Sequence, residues 1–374
     1  MNILKNGYMT AAMLWPKRKL TSTIVYIMSF SFNEGDLIKQ LHLNYPGKVT
    51  VFFVDKCREY AEKLKSEGID VRPFTPKSLF LGRNLTLLKQ AKVIIVDNYF
   101  PELAVMTPNQ VVIQVWHADG AIKKFGWDDP QTKQRSRQDK KRFQKVYDSF
   151  NYVVVNSDKM AEVFQKSYSL NQKVIQKFGS LRLETAQKVA GSVEQTKKFI
   201  LYAPTYRPEK KDMEQILSQV LATFSKLPEE QFYVHLHPTI QQENWVLPKN
   251  VHWWNQNIMK SYPNVKLLIT DYSASTFEYL TIQEQSKIIF FCPDFDKYKK
   301  NPGIQNDFLE WAPGPVVKNQ ELLGQTIQTY SYEANEQGVK QAKLLWNQYE
   351  NGKTVGKILA LVKKELGEIG GKEE

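Results

Sequence analysis

The chain has 374 residues, 42% of them hydrophobic, which excludes a disordered or fibrous protein; at roughly 100–200 residues per domain the length predicts two domains. Its two cysteines, Cys57 and Cys292, lie far apart in no ligand-like spacing, which excludes a disulfide scaffold and a cysteine zinc site and fits a reducing cytosol. Lys and Arg number 51 against 39 Asp and Glu, a net charge of +12 that calls for an anionic partner: nucleic acid, anionic lipid or a phosphorylated substrate.

In chain order, the first apolar run is 23–32. Pro16 and Arg18 precede it and no small-residue cleavage site follows, so it is expected to be a strand rather than a signal peptide. No apolar run approaches the roughly 18 residues that span a bilayer, so no transmembrane helix is expected. Short β-branched or aromatic runs at 24–30, 49–54, 93–97, 111–116 and 152–156 alternate with helical segments, and a second series follows at 199–203, 232–236, 266–270 and 287–291. Alternation of this kind predicts parallel sheets, hence an α/β fold of two Rossmann-like domains. A linker is expected between 179 and 198, dividing the chain into residues 1–180 and 181–374. From about Gln320 onward, Leu322, Leu323, Ile327, Leu344, Leu345, Ile358, Leu359 and Leu361 recur at helical spacing, which predicts terminal helices before a polar tail from Gly367.

The densest basic segment runs from Lys123 to Lys145 and includes Lys133, Arg135, Arg137, Lys140, Lys141 and Arg142. A solvated helix face accounts for such a run as well as a membrane surface does. Phe143, Val146 and Tyr147 add apolar positions that an interfacial helix would need. No nucleic-acid module is recognisable, and the aromatic residues are not interleaved with the basic ones as a stacking platform requires, so nucleic acid is not an expected partner.

Ligands in open α/β folds collect beyond the carboxyl ends of the strands, which directs attention to three histidines. The run 111–116 delivers His117 into the loop that opens the next helix; Asp119 beside it can orient the imidazole of a general base, and Gly120 permits close backbone approach. His235 and His237 close the strand 232–236 on one side, with Pro238 ending it. A zinc pair there lacks a third ligand, and a phosphate contact from His237 is the better reading. Residues 269–276 mark a strand giving way to a helix, where Ser273, Ser275 and Thr276, with Glu278 close behind, offer hydroxyls and free N–H groups to an anion; an ordinary helix cap is the alternative. Thr205 and Arg207 end another strand with a hydroxyl and a phosphate-matching guanidinium, Glu209 being the alternative partner of Arg207. Asp294 and Asp296 have the spacing of a divalent-metal motif, but lie in a proline-containing loop where such pairs arise by chance; no metal is expected.

Taken in order, Trp116-His117-Ala118-Asp119-Gly120-Ala121, Ala203-Pro204-Thr205-Tyr206-Arg207, His237-Pro238, Thr270-Asp271-Tyr272-Ser273 and Pro313-Gly314-Pro315 resemble the motifs of the CDP-glycerol glycerophosphotransferase family, over most of the chain from about Asp97. Asp97-Asn98-Tyr99 and Phe178-Gly179-Ser180-Leu181-Arg182 are also similar, with Leu181 where the family usually has proline. The Trp-His-Ala-x-Gly-Ala form resembles the short primases of the family rather than its polymerases.

The resemblance implies a GT-B architecture, an N-terminal acceptor and membrane-facing domain, and a C-terminal domain that binds CDP-glycerol without a cofactor. It implies transfer of glycerol phosphate to an undecaprenyl-diphosphate-linked N-acetylmannosaminyl-N-acetylglucosamine, with release of CMP, at the cytoplasmic face of the membrane. His117 would be the base and His237 a stabiliser of donor phosphate, with Thr205, Arg207, Asp271, Ser273, Ser275, Thr276 and Glu278 around the donor. Asn98, Trp116, Gly120 and Lys123 would meet the polyprenyl-diphosphate-linked disaccharide, and Arg135, Arg137, Lys140, Lys141 and Arg142 the anionic membrane surface. Ala274 stands where a second serine is common, leaving Ser275 and Thr276 as candidates for the missing hydroxyl. A GT-B glycosyltransferase with another nucleotide-activated donor would share the helix-terminus site.

Overall fold

The computed structural model describes residues 2–16, 18–81, 83–194, 196–237, 240 and 242–367. Strands β1 (Thr21–Met28), β2 (Val49–Phe53), β3 (Asp70–Pro73), β4 (Ala91–Val96), β5 (Val111–Gln114), β6 (Phe150–Val154) and β7 (Ile175–Gln176) form a seven-stranded sheet in the order β3-β2-β1-β4-β5-β6-β7. Strands β8 (Phe199–Tyr202), β9 (Phe232–Val234), β10 (Val251–Trp253), β11 (Val265–Thr270), β12 (Ile288–Phe291) and β13 (Val316–Val317) form a second sheet, ordered β10-β9-β8-β11-β12-β13. Every pairing in both sheets is parallel. Helices cover both faces of such sheets, so the central strands are apolar throughout rather than alternating. Val93 to Val96 in β4 and Ile288 to Phe291 in β12 are accordingly all buried. The expected α/β fold with two Rossmann-like sheets is borne out.

The two compact units are not consecutive stretches of chain. One comprises 1–118, 132–185 and 349–374; the other comprises 119–131 and 186–348. The last helix, Thr354–Glu365, therefore belongs with the first sheet, whereas a division at residue 180 places it with the second. Its apolar stripe, Val355, Ile358, Leu361 and Val362, joins the core around β1, β2 and β4. The Glu184 carboxylate accepts from Thr354 N (2.9 Å) and Val355 N (3.3 Å), satisfying amides at the start of that helix. The excursion 119–131 is held in the second unit by Gln305 N donating to Ile122 O (2.8 Å) and Lys124 N donating to Gly303 O (3.0 Å).

Strand order reverses between β1 and β4 in one sheet and between β8 and β11 in the other. Crevices at such switch points, beyond the carboxyl ends of the strands, are where open α/β sheets take ligands.

Candidate active site

In the first unit the switch point is organised by Asp97, the residue after β4. Its buried carboxylate accepts from Ser29 N (2.7 Å), Ser29 Oγ (2.7 Å) and Phe30 N (2.9 Å), tying the end of β4 to the end of β1. Burial pushes the Asp97 carboxyl up to about 6, against the lowering effect of these bonds. Asn98 Nδ2 donates to Ser29 Oγ (3.2 Å), so this candidate is half-buried and holds the same loop.

Trp116 has φ +61°, a left-handed conformation costing a non-glycine residue on the order of 1–3 kcal/mol. The turn is pinned on both sides: Trp116 N donates to Gln114 Oε1 (2.8 Å), and Asn33 Nδ2 donates to Trp116 O (2.7 Å). The indole meets Phe164 edge-on, with ring centroids 5.2 Å apart.

This turn places His117 flat on Phe30, with centroids 4.0 Å apart and planes 9° from parallel. Its Nδ1 lies 2.8 Å from the Asp97 carbonyl oxygen. A carbonyl only accepts, so Nδ1 carries a proton, and in the neutral form of this tautomer Nε2 is the basic nitrogen. Asp119 is fully buried, and the carbonyl of Asp97 sets the tautomer of His117. Phe30 is a site residue that sequence missed, because at the end of an apolar run it reads as core. Lys56 covers that ring, its ammonium 3.7 Å from the centroid.

In the second unit, Arg207 follows β8 and is only 3% exposed. Nε and Nη2 donate to the two oxygens of Asp294 (2.7 and 3.1 Å), Nη2 also pairs with Asp271 Oδ2 (2.8 Å), and Nη1 donates to Thr205 O (2.7 Å). The rings of Tyr272 and Tyr298 stack together at 3.9 Å and lie against the guanidinium, which is 4.7 Å from the Tyr298 centroid. Burial lowers the proton affinity of Arg207, but Asp271 and Asp294 more than offset it and its pKa is raised. Arg207, expected to hold phosphate, is thus a brace joining the ends of β8, β11 and β12. Asp294 is held by this guanidinium, not by Asp296.

Two other expected donor contacts are also internal. Asp271 Oδ1 accepts from Thr205 N (2.7 Å) and Tyr272 N (2.5 Å), and the buried Glu278 accepts from Tyr262 Oη (2.8 Å). Their carboxylates would repel a diphosphate, and their burial keeps them from one.

What remains accessible is hydroxyl and imidazole. Ser273 and Ser275 are half-buried at the start of the helix Ser275–Ile282, with their Oγ atoms 2.9 Å apart and Ser275 N donating to Ser273 Oγ at 3.3 Å. Thr276 is fully buried, which leaves Ser275 as the accessible second hydroxyl. His237 is exposed, its ring 5.1 Å from that of Tyr206; Pro238 lies outside the described residues. His235 is turned inward, its Nδ1 2.9 Å from Trp254 O, and burial lowers its pKa.

Gly120 and Lys123, expected on the acceptor side, fold with the second unit. A Cβ on Gly120 would stand 2.4 Å from the ring of Phe277, so only glycine fits against that helix. Lys123 pairs as an isolated antiparallel bridge with Ile304.

The basic segment divides as well. Arg135, Arg137 and Lys141 are exposed, and Lys140 is half-buried with its ammonium on Lys133 O (2.9 Å). Arg142 is buried and paired with Asp139 within the helix Arg137–Tyr147, so it is unavailable to a membrane surface. Tyr147 is buried too, and Phe143 packs on Tyr99 with centroids 5.2 Å apart, so neither is free to insert into lipid. Among the described residues no helix is long and apolar enough to cross a membrane.

Fold and site together define a protein of two Rossmann-like α/β units, each presenting polar chemistry at the switch point of a parallel sheet. The chain belongs to the CDP-glycerol:poly(glycerophosphate) glycerophosphotransferase family, whose model matches residues 9–364. It is 30% identical over 364 residues to the teichoic acid glycerol-phosphate primase of Bacillus subtilis (strain 168), covering 92% of each chain. It is also 30% identical over 318 residues to the teichoic acid glycerol-phosphate primase of Staphylococcus aureus (strain NCTC 8325 / PS 47), covering 82% of this chain and 83% of that one. In fold it is similar to the wall teichoic acid polymerase TagF, with TM-score 0.69 and 17% identity over 98% of this chain and 96% of that one. The enzyme is a CDP-glycerol glycerophosphotransferase, as the resemblance of its motifs implied.

Proposed function

We propose that the chain transfers glycerol phosphate from CDP-glycerol to an undecaprenyl-diphosphate-linked N-acetylmannosaminyl-N-acetylglucosamine, releasing CMP and priming wall teichoic acid synthesis. The observation that carries this reading is the near full-length match to glycerol-phosphate primases. An acceptor hydroxyl attacks the phosphorus that bears glycerol; its proton passes to His117 Nε2, the basic nitrogen of the tautomer that the Nδ1 bond to Asp97 O selects. The bond from that phosphorus to the bridging oxygen breaks, and CMP departs with the electron pair. Ser273, Ser275 and the amides at the start of the helix Ser275–Ile282 hold the diphosphate, with His237 beside it. Arg207 and Asp271 act through the loops they brace rather than by contact. Asn98 and Trp116 shape the acceptor side.

The decisive test is product mass. Incubated with CDP-glycerol and a short-chain lipid-linked disaccharide in EDTA, the protein is expected to add glycerol phosphate to the acceptor and liberate CMP. A sugar added from another nucleotide donor, with CDP-glycerol inert, would make it a glycosyltransferase instead; dependence on an added divalent ion would return Asp294 and Asp296 to the site.

A polyprenyl acceptor stays in the bilayer, so the enzyme is proposed to dock peripherally on the cytoplasmic membrane face. Arg135, Arg137 and Lys141, with Lys133 and Lys145, are the exposed charges for that surface, each worth on the order of 1 kcal/mol near anionic lipid and screened by salt. Arg135→Gln, Arg137→Gln and Lys141→Gln together are expected to release the protein from anionic vesicles at moderate salt while turnover on a water-soluble acceptor analogue survives. Arg142 is left intact in that variant, since removing it strands the buried Asp139. Undiminished sedimentation with vesicles would move the docking surface to Met13, Leu14 and Leu81, exposed apolar residues on segments joined where Tyr8 and Trp15 both meet Phe80.

A further inference from the structure

Lys123 stands out among the charged residues of the second unit. Its side chain is half-buried, yet among the described residues its ammonium has no hydrogen bond and no ion pair, whereas the next residue, Lys124, donates to Asn306 Oδ1 at 2.8 Å. The backbone around Lys123 is fixed. The bridge to Ile304, the bond from Gln305 N to Ile122 O (2.8 Å) and the contact of Gly120 with Phe277 lay this segment along the first turn of the helix Ser275–Ile282.

The ammonium lies within electrostatic reach of Asp271 and Arg207. Burial lowers its pKa; the attraction of Asp271 opposes this and the repulsion of Arg207 adds to it, so the net direction is downward. Asp271 makes no ion pair with it among the described residues; its oxygens accept from Thr205 N, Tyr272 N and Arg207 Nη2. A second donor without a partner stands at the same brace: Thr205 Oγ1, on a residue 8% exposed whose N–H and C=O bond to Asp271 and Arg207. A desolvated cation and an unsatisfied hydroxyl on the brace that Asp271 makes, two residues before Ser273, are the donor set for a phosphate group.

We propose that Lys123, with the Thr205 hydroxyl, is a ligand of the donor diphosphate, which moves Lys123 from the acceptor side of the reaction to the donor side. The inference rests on CDP-glycerol being the donor. A point charge there stabilises the negative charge that grows on the bridging oxygen as its bond to the transferred phosphorus breaks. The cost of holding an unpaired ammonium in the free protein is recovered only when the diphosphate is bound.

Calorimetry on the full chain tests this with CDP-glycerol, CDP and cytidine as probes. Lys123→Met is expected to weaken CDP-glycerol and CDP by about 10- to 100-fold, the size of one charge-assisted hydrogen bond, while cytidine binding is unchanged. The ligand-free Tm of this variant is expected to equal or exceed that of wild type, and Lys123→Arg to recover most of the affinity. Unchanged CDP-glycerol affinity in Lys123→Met, with wild type binding normally, would overturn the assignment and leave the proposed function intact. A lower Tm with cytidine and CDP weakened alike would make Lys123 a counter-ion of Asp271 and overturn it too. A wild-type protein that binds neither CDP-glycerol nor CDP would remove the donor reading itself, and this inference with it.

Discussion

His117→Ala is expected to lower kcat by about 10²–10⁴-fold, the usual cost of removing a general base, while CDP-glycerol affinity and Tm stay near wild type. The imidazole stacks on Phe30 and donates from Nδ1 to the Asp97 carbonyl, whose loop is independently held by the carboxylate bonds to Ser29 and Phe30. His117→Gln sharpens the test, since an amide can still donate to the carbonyl but supplies no basic nitrogen. Single-turnover rates with both substrates saturating would separate chemistry from binding. Turnover within a few-fold of wild type in either variant would take His117 out of the mechanism.

Arg207→Met is expected to destabilise the protein by about 3–5 kcal/mol, the penalty for stranding buried charge when one member of an ion pair is removed. The side chains of Asp271 and Asp294 are 2% and 14% exposed, and both oxygens of Asp294 face this guanidinium. Arg207→Lys is not expected to rescue it, because one ammonium cannot span Asp294, Asp271 and the Thr205 carbonyl together. The change would be read as a fall in the urea midpoint at constant slope. A loss below about 1 kcal/mol, with donor affinity alone reduced, would return Arg207 to the role of phosphate ligand.

The contrast between these two residues shows where local pattern is informative. His117 was legible because the run 111–116, apolar but for Gln114, predicts a buried strand, and the residue that leaves such a strand stands at a ligand crevice whatever packs around it. Arg207 likewise follows a strand, β8, and sequence places it at the crevice of the second sheet; its side chain instead turns to Asp294, 87 residues further on, which no local pattern reveals. Arg142 and Tyr147 repeat the lesson within one helix. A run of basic residues looks like a solvated or lipid-facing surface, but its 3.6-residue period turns Arg142, Val146 and Tyr147 inward, where Tyr99 and the core meet them.

By itself, then, the sequence determined the α/β class, the strand series, the motif-bearing ends of β5, β8, β9 and β11, and the family, because strand burial and strand-to-loop transitions are written in adjacent residues. Tertiary structure decided which polar groups are used up internally and which remain available. It buried Glu278 under Tyr262, set the tautomer of His117 with the Asp97 carbonyl, carried Lys123 into the second unit and returned the helix Thr354–Glu365 to the first. Each of these depends on partners distant in the chain, or on one segment crossing between units, and such pairings are settled by packing and charge compensation after the local elements have formed.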